Sequence, residues 1–287
     1  MSITNAVAAS IVEAVLALSR TSRPQARDLA STILGRLAEP QRYYHTATHI
    51  HALIQLAAPL QLSAPECHLW TLAAAWHDVV YWPTRSDNEA ASKQLWETHA
   101  SDCIMEPAVQ QWVGATIDAT AGHCLADADQ ELRLPSHLSP RGPALAAWFL
   151  DADVAILGVA EPRYMEYADQ IRQEYSHVPP AAYTTGRASV LTQLASHPLV
   201  ARTEPMELST QAAVSAIRAW AGLPTEEPAA DALAEDGLSP FQTGIFQVAL
   251  HHSALSNLEL ERQKLLAEAA AMDDSLSPPP PDPSHSV

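Results

Sequence analysis

Apolar residues recur three and four positions apart along most of the chain, while runs alternating Val, Ile, Thr or aromatic residues with polar ones are scarce. The first spacing is that of a helix with one buried face and the second that of a half-buried strand, so the pattern predicts an all-α protein. Helices are expected at about 3–19, 24–37, 45–57, 64–80, 87–100, 106–121, 143–157, 161–176, 182–195 and 207–221. Pro40, Pro59, Pro83, Pro107, Pro135, Pro140, Pro179 and Pro180 punctuate these segments, because proline lacks an N–H and breaks a helix interior. The polar stretch 127–142 holds two of these prolines and predicts a long loop, a kind of segment that often carries function.

Beyond Gly222 the pattern changes. Residues 223–240 (LPTEEPAADALAEDGLSP) are acidic and Pro-rich and read as a linker, which closes a helical domain over 1–222. An accessory helix is expected over 241–272, with Phe241, Ile245, Phe246, Val248, Leu250 and Leu258 for packing. The remainder, 273–287, contains SLSPPPPDPSHSV, cannot bury a core, and is expected to be disordered.

Composition narrows the picture. At 287 residues the chain can bury a large core, and 47% of its residues are apolar. No uncharged apolar run approaches the ~18 residues of a membrane span. The opening MSITNAVAASIVEAVLALSR lacks a basic start and contains Glu13, which fits an amphipathic helix better than a signal peptide. The expectation is a cytoplasmic protein with no membrane partner. Three well-separated cysteines, Cys67, Cys103 and Cys124, form neither a disulfide framework nor a thiolate metal site. A net charge of -17 favours solubility and repels a nucleic acid duplex, leaving a small polar substrate as the expected partner.

Candidate chemistry comes from histidine and aspartate. His45, His49 and His51 cluster at the start of one predicted helix. His77 and Asp78 close the apolar run AAAWHDVVYW, and Asp151 and Asp153 sit in WFLDADVAILG. Imidazole nitrogen and carboxylate oxygen together suit zinc, manganese, iron or magnesium. A His-Asp pair in so apolar a segment is costly unless its charge is compensated, and a divalent cation held between helices would do that. Spacing alone leaves choices open. His45 and His49 lie one turn apart and can share a face; Asp151 also suits a helix N-cap; and a His near a helix C-terminus is stabilising in itself. The chain contains no GxGxxG, Walker loop, GxSxG or HExxH.

Six ordered segments go further: RYYHTATH (42–49), WHDVVY (76–81), NEAAS (88–92), DADVAILG (151–158), IRQEY (171–175) and GRASVL (186–191). They resemble the HD superfamily of metal-dependent phosphohydrolases, in particular a branch with segments like RxYHxxxH, WHDxxY, NExxS, DxDxxILG, IRxEY and GRxxVL. The resemblance covers roughly residues 25–220. It implies an HD-type helical bundle with one divalent ion (Mn, Mg, Zn, Co or Fe) on His49, His77, Asp78 and Asp153. It also implies attack on phosphorus by a water activated on that ion, with a small phosphorylated metabolite or nucleotide as substrate.

Within that frame Glu89 and His45 are candidates for proton transfer, although Ser86 to Glu89 also reads as a capping box. His123 is a candidate fifth ligand or substrate contact, with a structural role at a helix end as the alternative. Arg42, Lys93, Arg172 and Arg187 are candidates to grip phosphate, with surface ion pairs as the alternative; Arg172 has Glu174 and Asp169 in reach. Trp76, Trp82 and Trp148 are expected to wall the site. Two rival functions share the scaffold. A di-iron oxygenase would need additional histidines from His99, His123 and His137, and a non-catalytic metabolite-binding module would keep the metal for structure alone.

Overall fold

The computed structural model describes residues 1–123, 130–196, 210–225 and 245–276. Among them the fold is all-α, with an isolated bridge between Ser19 and Met105 in place of any sheet. The helices are α1 (Ile3–Leu18), α2 (Arg23–Leu37), α3 (Ala47–Leu56), α4 (Ala64–Trp76), α5 (Asn88–Asp102) and α6 (Pro107–Thr120). They continue as α7 (Gly142–Asp153), a 3-10 turn (Val154–Gly158), α8 (Glu161–Glu174), α9 (Pro180–Ser196), α10 (Thr210–Ala221) and α11 (Ile245–Leu276). No single helix among the described residues is long and apolar enough to cross a membrane.

Local chemistry starts these helices. Ser22 and Gln25 form a capping box at α2, and Ser63 and Glu66 form one at α4, each with a proline in the first turn. α4 is then buried on every side from Leu69 to Trp76, as a helix apolar all round must be. α1, α3, α5, α6 and α7 pack against it. Trp70, Trp76, Trp96 and Trp112 are fully buried, and each indole N–H finds an acceptor: Leu53 O, His99 Nδ1, Gln110 O and Gly142 O.

Several expected boundaries are corrected. α4 stops at Trp76 rather than at 80, because the next residues bond outside the helix. The Asp78 and Val79 carbonyls accept from Arg42, and the Val80 N–H donates to Ser92 Oγ at 3.0 Å. The helix expected over 143–157 breaks at Asp153 into the 3-10 turn. His45 lies before α3 rather than inside it. Residues 273–276, assigned by sequence to the disordered tail, are the last turn of α11. The rest of that tail (277–287), most of the linker and the predicted start of α10 lie outside the described residues.

The 127–142 loop is anchored in its described part. Leu132, Leu138 and Ser139 are buried, and Glu66 of α4 accepts from Ser139 Oγ at 2.7 Å and Arg141 Nε at 2.7 Å. A Cβ at Gly142 would meet the Leu132 carbonyl at 2.1 Å, so the loop closes against α7 only with glycine there.

The accessory helix is part of the core. Phe246, Leu250, Ala254 and Leu258 of α11 are buried, and a Cβ on Gly158 would meet Leu250 Cβ at 2.5 Å. Asn257 Nδ2 donates to the Leu157 and Val159 carbonyls, both at 2.8 Å, so α11 holds the 3-10 turn directly. Glu261 accepts from Arg187 Nε at 2.9 Å and from the Tyr164 hydroxyl.

Two predictions follow from these anchors. Burial works against charge at Glu66, but hydrogen bonds from Arg141, Ser63 and Ser139 outweigh it and hold the carboxyl at about 2. A depressed pKa lends stability that is complete above the ordinary carboxylate range and lost as pH falls through the folded value. The gap in unfolding free energy between wild type and Glu66→Gln should therefore be wide at about pH 5 and shrink toward about pH 2.5, as read by denaturant titration. The second concerns α11. Glu261→Ala strands the buried Arg187 guanidinium and should cost about 3–5 kcal/mol, whereas Glu259→Ala, on the exposed face, should leave the urea midpoint nearly unchanged.

Candidate metal centre

Three helix ends bring the proposed ligands together. Thr46 caps α3 and sets His49 in its first turn, buried beside Ile50 and Leu53. α4 ends at Trp76, so His77 occupies its C-cap and Asp78 the turn beyond. α7 ends at Asp153. One ligand atom each from His49, His77 and Asp78 lie within 4.8 Å of one another, a group that can hold a metal ion.

The distances define the cluster. His77 Nε2 lies 2.9 Å from Asp78 Oδ2, 3.2 Å from His49 Nε2 and 3.4 Å from Asp153 Oδ1. Asp153 Oδ1 is also 3.1 Å from His49 Nε2, while Asp153 Oδ2 is 3.1 Å from His123 Nε2. Asp151, the competing aspartate, is buried inside α7 and is not a helix cap. The His77 Nδ1 donates to the Ala74 carbonyl at 3.0 Å, which leaves Nε2 with a lone pair aimed at the other acceptors. Facing lone pairs at such distances need a proton or a cation between them. A divalent cation fits this His and carboxylate donor set.

Charge within the cluster is shared accordingly. Burial disfavours the imidazolium at His77, but Asp78 and Asp153 outweigh it and raise its pKa well above the usual value. At His49 burial prevails over Asp153 and lowers the pKa. Burial pushes Asp153 up, yet His77, His123 and His49 together bring it well below the carboxylate range.

Two buried side chains hold the turns that present the ligands. The Arg42 guanidinium donates from Nη1 to the carbonyls of His45 (3.2 Å) and Asp78 (2.7 Å), from Nη2 to Val79 (3.0 Å), and from Nε to Glu39 (3.3 Å). Glu174 Oε1 accepts three consecutive backbone N–H bonds, from Tyr43 and Tyr44 at 2.8 Å and His45 at 3.0 Å. Its Oε2 accepts from His45 Nδ1 at 2.7 Å and the Tyr81 hydroxyl at 2.9 Å. His45 Nε2 consequently faces Asp78 Oδ2, 3.9 Å away.

The remaining sequence candidates distribute as follows. His123 reaches the centre from a left-handed backbone position, φ 45°. Arg42 is a brace with its donors engaged. Lys93 donates to Asp118, Arg172 donates to the Tyr175 and Val178 carbonyls, and Arg187 pairs with Glu261. The ion pairs considered for Arg172 with Glu174 or Asp169 do not form. Glu89 lies half-buried at the second position of α5, where its charge is felt at Tyr175. The N-cap of α5 is Asp87, so the expected box between Ser86 and Glu89 is out of register.

The aromatic wall also differs from expectation. Tyr44 packs on His49, Tyr81 on His45 and Phe149 on His77, with ring centroids 4.8, 4.1 and 5.8 Å apart. Trp82 is exposed, Trp148 lies beneath Arg141, and Trp76 packs on Trp96. Sequence reasoning missed Glu174, although its signal was present: it sits in IRQEY, the segment from which Arg172 was singled out.

Comparison of the chain with protein-family models, curated proteins and solved structures finds no match. The arrangement itself yields a prediction about Glu174. Glu174→Gln keeps the shape but replaces an acceptor oxygen with a donor and removes the charge. Loss of an outer partner of this kind should weaken metal affinity by about 10–100-fold, measured by competition with a coloured chelator. An affinity equal to wild type would show that the cradle does not orient the ligands.

Proposed function

We propose that the chain is a metal-dependent phosphohydrolase of the HD type, acting on a small phosphorylated metabolite or nucleotide. The observation that carries this reading is the convergence of His49, His77 and Asp78, completed by Asp153, on one point lined with acceptors. When bound there, a divalent cation supplies Lewis-acid polarisation of a phosphoryl oxygen and lowers the pKa of a water. His49 and His77 present Nε2, and Asp78 and Asp153 present carboxylate oxygen.

His45 is the better placed of the two proton carriers. Its Nδ1–H is held by Glu174, so Nε2 can take a proton on the side that faces Asp78. Tyr44, Tyr81 and Phe149 exclude water from the imidazole faces. A second reading, an HD di-iron oxygenase, draws support from His123: Asp153 turns one oxygen to His49 and the other to His123, so His123 would be available to help hold a second ion. Iron content and an optical spectrum of protein purified without chelator separate the two.

The test uses the full chain supplied in turn with manganese, cobalt, magnesium and zinc against a panel of phosphate esters. Chelation should lower the melting temperature of wild type, because a cation bound only by the native state stabilises it by mass action. Asp78→Ala should melt without responding to chelator and lose turnover. His45→Gln should retain metal and lose about 10²-fold or more of turnover, while Glu89→Gln keeps most of it. Protein that binds no metal and ignores chelator would end the proposal.

A further inference from the structure

A cavity of about 250 Å³ opens beside the cluster, and His49 and Asp153 form part of its wall. α3, α8 and α10 enclose it: Leu53 and Leu56 come from the first, Arg163 and Tyr167 from the second, and Trp220 from the third. Tyr44 connects the two regions, packing on His49 at 4.8 Å and on Tyr167 at 4.7 Å. The volume falls below the roughly 300–1,000 Å³ of pockets that take drug-sized ligands. It suits a compact metabolite.

Arg163 is the cation of this cavity. None of the four cations singled out from the sequence lines it. The Arg163 guanidinium stacks over the Trp220 ring at 4.4 Å, and Nη1 donates to the Trp220 carbonyl at 2.8 Å. That brace fixes the plane and leaves the remaining N–H donors without an acceptor among the described residues. Glu166 lies nearby on the exposed rim, and no ion pair joins it to Arg163. Burial lowers the Arg163 pKa, with Tyr44 and Glu166 opposing. A planar fork, pre-oriented and half-buried, is a recognition element for carboxylate or phosphate oxygens.

We infer that this cavity binds the non-reacting part of the substrate, and that Arg163 grips a second anionic group there. The substrate class is then a small, doubly anionic phosphate ester. The apolar walls from Leu53, Leu56 and Ile156 take the carbon body. Arg163 is a specificity-determining residue in this reading, which rests on the phosphohydrolase assignment of the same centre.

The test separates the two readings by equilibrium binding to metal-loaded, full-length protein, using phosphonates that cannot be hydrolysed. Phosphonopropionate, phosphonobutanoate and phosphonopentanoate are each compared with the alkylphosphonate of equal length, and inorganic phosphate serves as the reference. Wild type should prefer the carboxylate-bearing member about 10-fold or more at the length that spans the cavity. Arg163→Gln should erase that preference while leaving inorganic phosphate affinity and metal content unchanged. Arg163→Lys, which keeps the charge but loses the fork, should retain part of it and covers the case in which Arg163→Gln fails to fold. If wild type shows no preference at any length, or Arg163→Gln preserves it, the inference is overturned while the phosphate site stands. If metal-loaded wild type does not bind inorganic phosphate, the phosphohydrolase reading fails and this inference falls with it.

Discussion

A carboxylate buried at Glu174 must have its charge met in full, and the way this chain meets it organises the whole centre. Three successive backbone N–H groups, an imidazole and a phenol converge on its two oxygens. Those donors come from the turn before α3 and from the segment after α4, while Glu174 itself closes α8. One side chain thus sets the relative position of three stretches far apart in sequence. Arg42 is its counterpart of opposite sign. It takes the carbonyls of the same two turns, so neither turn can continue as helix. Breaking a buried, fully bonded charge costs about 3–5 kcal/mol, which makes these turns stiff. His49, His77 and Asp78 inherit that stiffness, and pre-organised ligands lose little freedom when a cation binds.

The helices and the His49, His77 and Asp78 group that could hold a metal ion were legible in the sequence, for different physical reasons. Helices showed because burying one face imposes a 3.6-residue period. The candidate ligands showed because a His-Asp pair in an apolar run needs a partner. Boundaries were misread wherever a distant donor competes with the helix ladder. Arg42 ends α4 four residues early, and nothing local in AAAWHDVVYW announces it. The roles of cations were the least legible. An arginine carries the same local signature whether it grips a substrate or braces a turn, and Arg42, Arg172 and Arg187 all turned out to be engaged internally. Glu174 was passed over for the converse reason: although it sits in IRQEY, a single Glu on an amphipathic helix reads as solvated until the fold buries it.

α11 changes how the centre is supported. The sequence drew it as an accessory element beyond a linker, yet Asn257 and Leu250 bind the 3-10 turn that begins right after Asp153. α7 must end at that residue for its carboxylate to face both His49 and His123, and the turn is what ends it. Since a 3-10 turn has poorer hydrogen bonds than an α-helix, external donors matter more for its persistence. The C-terminal helix and the candidate metal centre are therefore one mechanical unit, joined through five residues of the turn.

A net charge of -17 sets a problem for any anionic substrate. Exposed charges farther away than about 8 Å are largely screened at physiological salt, so the overall charge mainly slows approach. What decides binding is the local field, and there the carboxylates of Asp78, Asp153 and Glu174 would dominate without compensation. Glu174 is hydrogen-bonded through both oxygens and is not among the residues that line the cavity. Asp78 and Asp153 face the histidines, where a cation would reverse the local sign. On the proposed reading a bound cation would add positive charge beside His49 and Asp153, whereas Arg163 brings its charge to the same cavity without one. Under the proposed function, an ester held by Arg163 would set its phosphate toward Asp78 and Asp153, whose charge His77 offsets only in part, so a bound cation would favour it.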